Sequence, residues 1–144
     1  MGNQVFVSHS GRDEFEASLL QYVLETMLVD EGVTAWTFER DQSRSEKAIA
    51  RSLKDRVRES SVAVFLVSPH TLESGATQWM ELAYADAFAV TSFILLHHLD
   101  FHELKHKEAG VPPLLLSSQV NPTVEWKRVV EEIKKTLKGT RENG

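Results

Sequence analysis

The sequence predicts an α/β domain with a five-stranded parallel sheet and helices on both of its faces. Short apolar, β-branched runs alternate with segments of helical apolar spacing, and the connections between them are short. The run VAVFLV at Val62–Val67 is apolar throughout, as a strand covered on both faces must be.

Each element has its own signal. VFVS at Val5–Ser8 is the first strand. From Asp13 to Leu28, Phe15, Leu19, Val23 and Met27 recur four apart, with Leu20, Leu24 and Leu28 beside them, which predicts one helix with an apolar stripe. Gly32 follows as its stop. VTAWTF at Val33–Phe38 reads as the second strand. Ser43 and Glu46 form a capping-box pattern that opens a helix with Ile49, Leu53 and Val57 on one face. After the third strand, Gln78–Val90 is helical, with Leu82, Ala83 and Ala87 inward, and SFILL at Ser92–Leu96 is the fourth strand. His97–Gly110 reads as irregular or partly helical, and a fifth strand falls within Leu114–Val120. Asn121 and Pro122 cap the last helix, with proline at its first position and Trp126, Val129, Val130, Ile133 and Leu137 on its buried face. The domain then spans residues 1–138, and residues 139–144 read as a frayed tail.

Five strands of this kind suggest the flavodoxin-like order 2-1-3-4-5 in three layers. Such sheets bind ligands beyond the carboxyl ends of their strands, where the order reverses. That crevice lies between the first and third strands, lined by Ser8, His9, Ser10, Ser68 and the loop before the third helix.

Composition narrows the chemistry. A chain of 144 residues holds one domain with a core. It has no cysteine, which excludes disulfides, thiolate catalysis and cysteine-based zinc sites. The net charge of −5 gives no general help toward nucleic acid. No stretch approaches a membrane span, and Met1-Gly2-Asn3-Gln4 has no signal-peptide pattern, so the expectation is a cytoplasmic protein with no membrane or nucleic-acid partner. Walker and Rossmann glycine motifs are absent, and the serines after strands one and three stand where a phospho-accepting domain wants aspartates. His98, His102 and His106 recur every four residues, but the segment has no strong helical pattern, and no metal site is expected.

Glu81 stands out, in the first turn of a helix whose other face is apolar and within reach of the crevice. A helix N-terminus favours an ionised carboxylate, and the plain alternative is an acid that only balances the dipole.

Several segments together resemble the Toll/interleukin-1 receptor (TIR) family. Val5-Phe6-Val7-Ser8-His9-Ser10 followed by Asp13 is similar to its first signature. Trp36-Thr37-Phe38 stands where the family has its second strand and the start of the BB loop. Val62–Ser68 is similar to the third strand with its closing serine, and Ser74 through Glu81-Leu82-Ala83-Tyr84-Ala85 to the family's tryptophan–glutamate segment. The likeness runs from about Gln4 to Leu137 with the segments in the family's order, and it implies a stand-alone protein of prokaryotic type. Two departures are plain. Trp79 precedes Glu81 by two positions where the family usually has four, and residues 39–45 carry neither glycine nor proline.

The resemblance implies an enzyme that breaks the nicotinamide–ribose bond of NAD, with Glu81 catalytic and NAD as substrate rather than cofactor. It places Phe6 and Ser8 near the nicotinamide and ribose. Ser10 and Ser68 stand by as hydrogen-bonding groups, Trp36 and Phe38 as stacking rings or core, Arg40 and Arg44 near the pyrophosphate or in solvent, and Trp79 as packing that fixes the loop. A homo-oligomer formed through TIR–TIR contacts, on a trigger, is implied too, with a role in defence or signalling. A lone domain has no attached module to regulate by contact, so a diffusible product suits it. The alternative is a non-catalytic adaptor that acts by TIR–TIR self-association.

Overall fold

A computed structural model describes residues 3–37, 54–74, 76–100, 102 and 119–143. Its strands are β1 (Asn3–Ser8), β2 (Val33–Thr37), β3 (Val62–Val67), β4 (Thr91–Leu96) and β5 (Gln119–Pro122). They form one sheet in the order β2-β1-β3-β4-β5, and every pairing is parallel. The described helices are α1 (Glu14–Met27), α2 (residues 54–59), α3 (Pro69–Ser74), α4 (Ala76–Ala87) and α5 (Trp126–Asn143).

The side-chain period of a strand sorts the core into two layers. Val5, Val7, Val62, Val64, Leu66, Phe93 and Leu95 meet α1 and α5 through Leu24, Leu28, Val129, Val130, Ile133 and Leu137. Their neighbours Phe6, Ala63, Phe65, Val67, Ile94 and Leu96 face the other way and meet Val57 of α2 and Leu82 and Ala85 of α4. VAVFLV is thus apolar throughout because alternate residues serve different layers.

The face that α1 buries differs from the expected stripe. Phe15, Leu19 and Met27 are exposed, and Val23 is half-buried. Of that stripe the sheet receives Leu24 and Leu28, with Leu20 and Val23 packed beside them, and it also receives Ala17 and Gln21. A small residue and an amide let the helix approach the edge strand closely, and the Gln21 amide donates to the Ala35 carbonyl at 3.1 Å. Gln21→Ala is expected to cost about 1 kcal/mol in chemical denaturation, the net value of one buried hydrogen bond.

Gly32 is the stop that the sequence suggests. It sits at φ 66° and closes a 3-10 turn, Val29–Glu31, placed between α1 and β2. In α4 the inward residues are Gln78, Glu81, Leu82 and Ala85, whereas Ala83 and Ala87 are exposed. The helix also begins at Ala76, ahead of Gln78. At the other end, Asn121 and Pro122 belong to β5. A 3-10 turn, Thr123–Glu125, intervenes before α5, with Pro122 as its cap, so proline precedes the helix by more than one position. The Asn121 amide donates to Glu125 at 2.9 Å. The α5 backbone stays helical to Asn143, past the end expected for the domain. Phe38, Arg40, Arg44, the Ser43–Glu46 capping box, Ile49, Leu53, His106 and residues 114–118 lie outside the described residues.

Candidate functional site

β1 stops at Ser8 while its neighbour β3 runs on to Val67, since Ser8 pairs with Phe65. The carboxyl ends of these two central strands therefore leave a step in the sheet. Ser8 follows Phe6 on the α4 side, and α4 presents Glu81 to it. The Ser8 hydroxyl donates to Glu81 Oε1 at 2.6 Å, within the range of charge-assisted O–H···O bonds. Both side chains are buried, Ser8 at 2% and Glu81 at 3% exposure.

Glu81 was expected in the first turn of its helix. It lies in the second, because α4 starts at Ala76. The helix-end field falls off within the first turn. A bond from the end of a central strand, not the helix dipole, is what ties this carboxylate to the site.

A second serine–carboxylate pair closes the same end of the sheet. Ser68, directly after β3, donates to Asp13 Oδ2 at 2.5 Å, and both are buried. The Ser68 hydroxyl also accepts from the His70 amide at 3.1 Å, while the Ser68 amide donates to Thr71 Oγ1 at 3.1 Å. Ser68 is thus the N-cap of α3, and Pro69 takes the first helical position, where its missing N–H costs nothing. Asp13 ends a 3-10 turn, Gly11–Asp13, that Ser10 opens by accepting from Arg12 N at 3.4 Å. The pair ties the loop after β1 to the loop after β3. In the sequence Asp13 only opens the segment of helical spacing. Its only signal as a site residue was its place in the first signature.

A further buried polar group is Gln78, 2% exposed and one turn before Glu81 on the same face of α4. Its Nε2 donates to the Leu66 carbonyl at 3.0 Å. Val67 O accepts from His97 N at 2.8 Å and so points toward β4. Carbonyl direction alternates along a strand, so Leu66 O points toward β1, into the step beyond Ser8. The Gln78 side chain therefore lies across that step. Its Oε1 is buried and has no hydrogen-bond partner among the described residues. Nothing in the sequence singled it out except its spacing from Glu81.

Other expected residues lie below or beside the step. Phe6 is fully buried and stacks on Trp36, with ring centroids 5.2 Å apart and planes at 21°. Arg56 lies over the Trp36 ring at 5.7 Å, so this pair forms a floor of the α4-side core. Trp79 is half-buried and packs on the same core. His9 turns its Nδ1 to the Ser10 carbonyl at 2.7 Å. Ser8, Ser10, Ser68 and Glu81 are thus brought to one end of the sheet, with Asp13 and Gln78 added to them. Among the described residues, no group of three histidines, cysteines or acids converges in a way that would hold a metal.

Chemically, the step offers a carboxylate that can face a positive charge developing on a bound molecule. It is set where water is scarce and electrostatic interactions are strong.

A family model for the TIR domain matches residues 5–123. The chain belongs to the TIR domain family. No curated protein matches this TIR domain by sequence. Among solved structures, it is similar to the TIR domains of the activated Roq1 resistosome that directly recognises the pathogen effector XopQ. There the TM-score is 0.57 at 17% identity, over 95% of this chain and 84% of that one. It is also similar to a 2-desoxiribosyltransferase from Leishmania mexicana, with a TM-score of 0.53 at 12% identity over 65% of this chain. This TIR domain spans 64% of that transferase. The CMP N-glycosidase BcmB of Clostridium botulinum aligns with a TM-score of 0.49 at 18% identity, over 83% of this chain and 87% of that one. At these identities the likenesses speak to the fold alone. Among the described residues, no helix is long and apolar enough to cross a membrane.

Proposed function

We propose that this TIR domain cleaves the N-glycosidic bond between nicotinamide and ribose in NAD, with Glu81 as the catalytic carboxylate. The observation that carries the reading is the buried Ser8–Glu81 pair at the step between β1 and β3. Family membership and the similarity of that segment to enzymatic TIR domains support it.

The reaction suits a site with one such carboxylate. Nicotinamide leaves as a neutral molecule from a pyridinium, so its departure needs little acid help. The ribose becomes oxocarbenium-like at C1′, and a carboxylate beneath it stabilises the positive charge. Water then adds to C1′ to give ADP-ribose, or a nucleophile of the same dinucleotide adds to give a cyclic isomer. Ser8 holds the carboxylate in place. NAD is substrate here, and no resident cofactor is required.

Glu81 is only 3% exposed, so turnover requires the strand ends to open toward the ligand. A site that opens on contact between copies would give an enzyme active only when assembled. Specific activity is then expected to rise with protein concentration. Chromatography of NAD incubated with increasing amounts of protein would show this as nicotinamide release that grows faster than linearly. The second product separates hydrolase from cyclase. Self-association with no nicotinamide release at any concentration would instead indicate the adaptor.

A further inference from the structure

We infer that Gln78 is a specificity-determining residue whose Oε1 accepts a hydrogen bond from the carboxamide NH2 of the nicotinamide ring. The inference rests on the NAD-cleaving reading of the same site. It follows from three features of the step beyond Ser8.

Among the described residues, Gln78 Oε1 is an acceptor buried without a partner in a residue only 2% exposed, and buried polar atoms are seldom left so. Its direction is fixed. The Leu66 carbonyl accepts only from a donor, so the amide must turn Nε2 toward Leu66 and leave Oε1 on the other side. The amide cannot flip for a ligand without giving up the Leu66 bond. The site therefore asks for a donor and refuses an acceptor.

Position selects which donor. Gln78 and Glu81 are three residues apart on one face of α4, which sets their Cβ atoms roughly 5–6 Å apart. With Glu81 beneath C1′ of the ribose, the group one pyridine ring away from C1′ falls near Gln78. In NAD that group is the carboxamide, whose NH2 is a donor. In the nicotinic acid analogue it is a carboxylate, which would set an anion against the Gln78 carbonyl oxygen. Sites built to hydrogen-bond a donor reject analogues that lack it far more strongly than apolar pockets reject a change of size.

The test compares kcat/KM for NAD and for nicotinic acid adenine dinucleotide, with the parent protein and Gln78→Met, folding being checked by thermal melting. The parent is expected to prefer NAD by about 100-fold or more, and Gln78→Met to bring the preference below about tenfold. Gln78→Asn, which keeps an amide but withdraws it by one methylene, is the second variant and should lose selectivity in the same sense. A parent that cleaves both dinucleotides equally well overturns the inference while leaving the NAD reading intact. So does a folded Gln78→Met or Gln78→Asn with undiminished preference. A parent that releases nicotinamide or nicotinic acid from neither dinucleotide, at any protein concentration, removes the NAD reading and this inference with it.

Discussion

Glu81→Gln is expected to reduce nicotinamide release by at least about 100–1000-fold, the loss typical when a group that stabilises transition-state charge is removed. The substitution keeps the shape of the side chain, and its amide still offers an oxygen to the Ser8 hydroxyl, which now stands 2.6 Å from Glu81 Oε1. The fold should therefore survive. The melting temperature is expected to stay the same or rise, because a neutral amide costs less to bury than a carboxylate at 3% exposure. Lost activity with retained stability separates a functional carboxylate from one that only completes the packing. A structural Glu81 would show the reverse, a lower melting temperature with activity falling only in step with the folded fraction. Both quantities come from one preparation, by chromatography of the products and by calorimetry.

Ser68→Ala is the second large effect, and it falls on stability. The hydroxyl donates to Asp13 at 2.5 Å and accepts from the His70 amide, so its removal strands a buried carboxylate and uncaps α3 at once. Losing the cap costs about 1 kcal/mol. An unsatisfied buried acceptor adds roughly 1–3 kcal/mol, more when charged, for a total of about 3 kcal/mol in denaturant unfolding. Asp13→Ala should cost less, since it leaves only a hydroxyl that can still bond to His70. The double variant should lie well above the sum of the two singles in stability, since the stranded carboxylate of Ser68→Ala is then gone. Strict additivity would mean that the pair is not coupled.

The fold was legible in the sequence because the strands are short, apolar and β-branched runs set between longer segments of helical spacing. VAVFLV and the apolar run beginning at Phe93 sit in the expected strands, and the order β2-β1-β3-β4-β5 is the one that five alternating strands suggest. The inward face of α1 was not legible. Phe15, Leu19 and Met27 compete with Leu20, Leu24 and Leu28 for the same role, and helical period alone does not choose between two apolar stripes on one helix. The choice is made by Ala17 and Gln21, a small residue and an amide that look unremarkable in a sequence yet fit against the edge strand.

Legibility of the site divides along the same line. Ser8, Ser68 and Glu81 stand at strand ends or on a helix at a spacing that the resemblance points to, and the structure brings them to one end of the sheet. Asp13 and Gln78 were missed as site residues for a physical reason. An acid before a helix and a glutamine within one are ordinary residues by composition. Their meaning comes only from the Ser68 hydroxyl and the Leu66 carbonyl that they meet across the fold.

The most direct test of the Ser8–Glu81 centre is nicotinamide release from NAD by concentrated protein, measured by chromatography beside Glu81→Gln at equal folded concentration. The expected result is release by the parent and its near-complete loss in the variant. Equal release from both proteins would contradict it, leaving Glu81 a buried partner of Ser8 and placing the chemistry elsewhere.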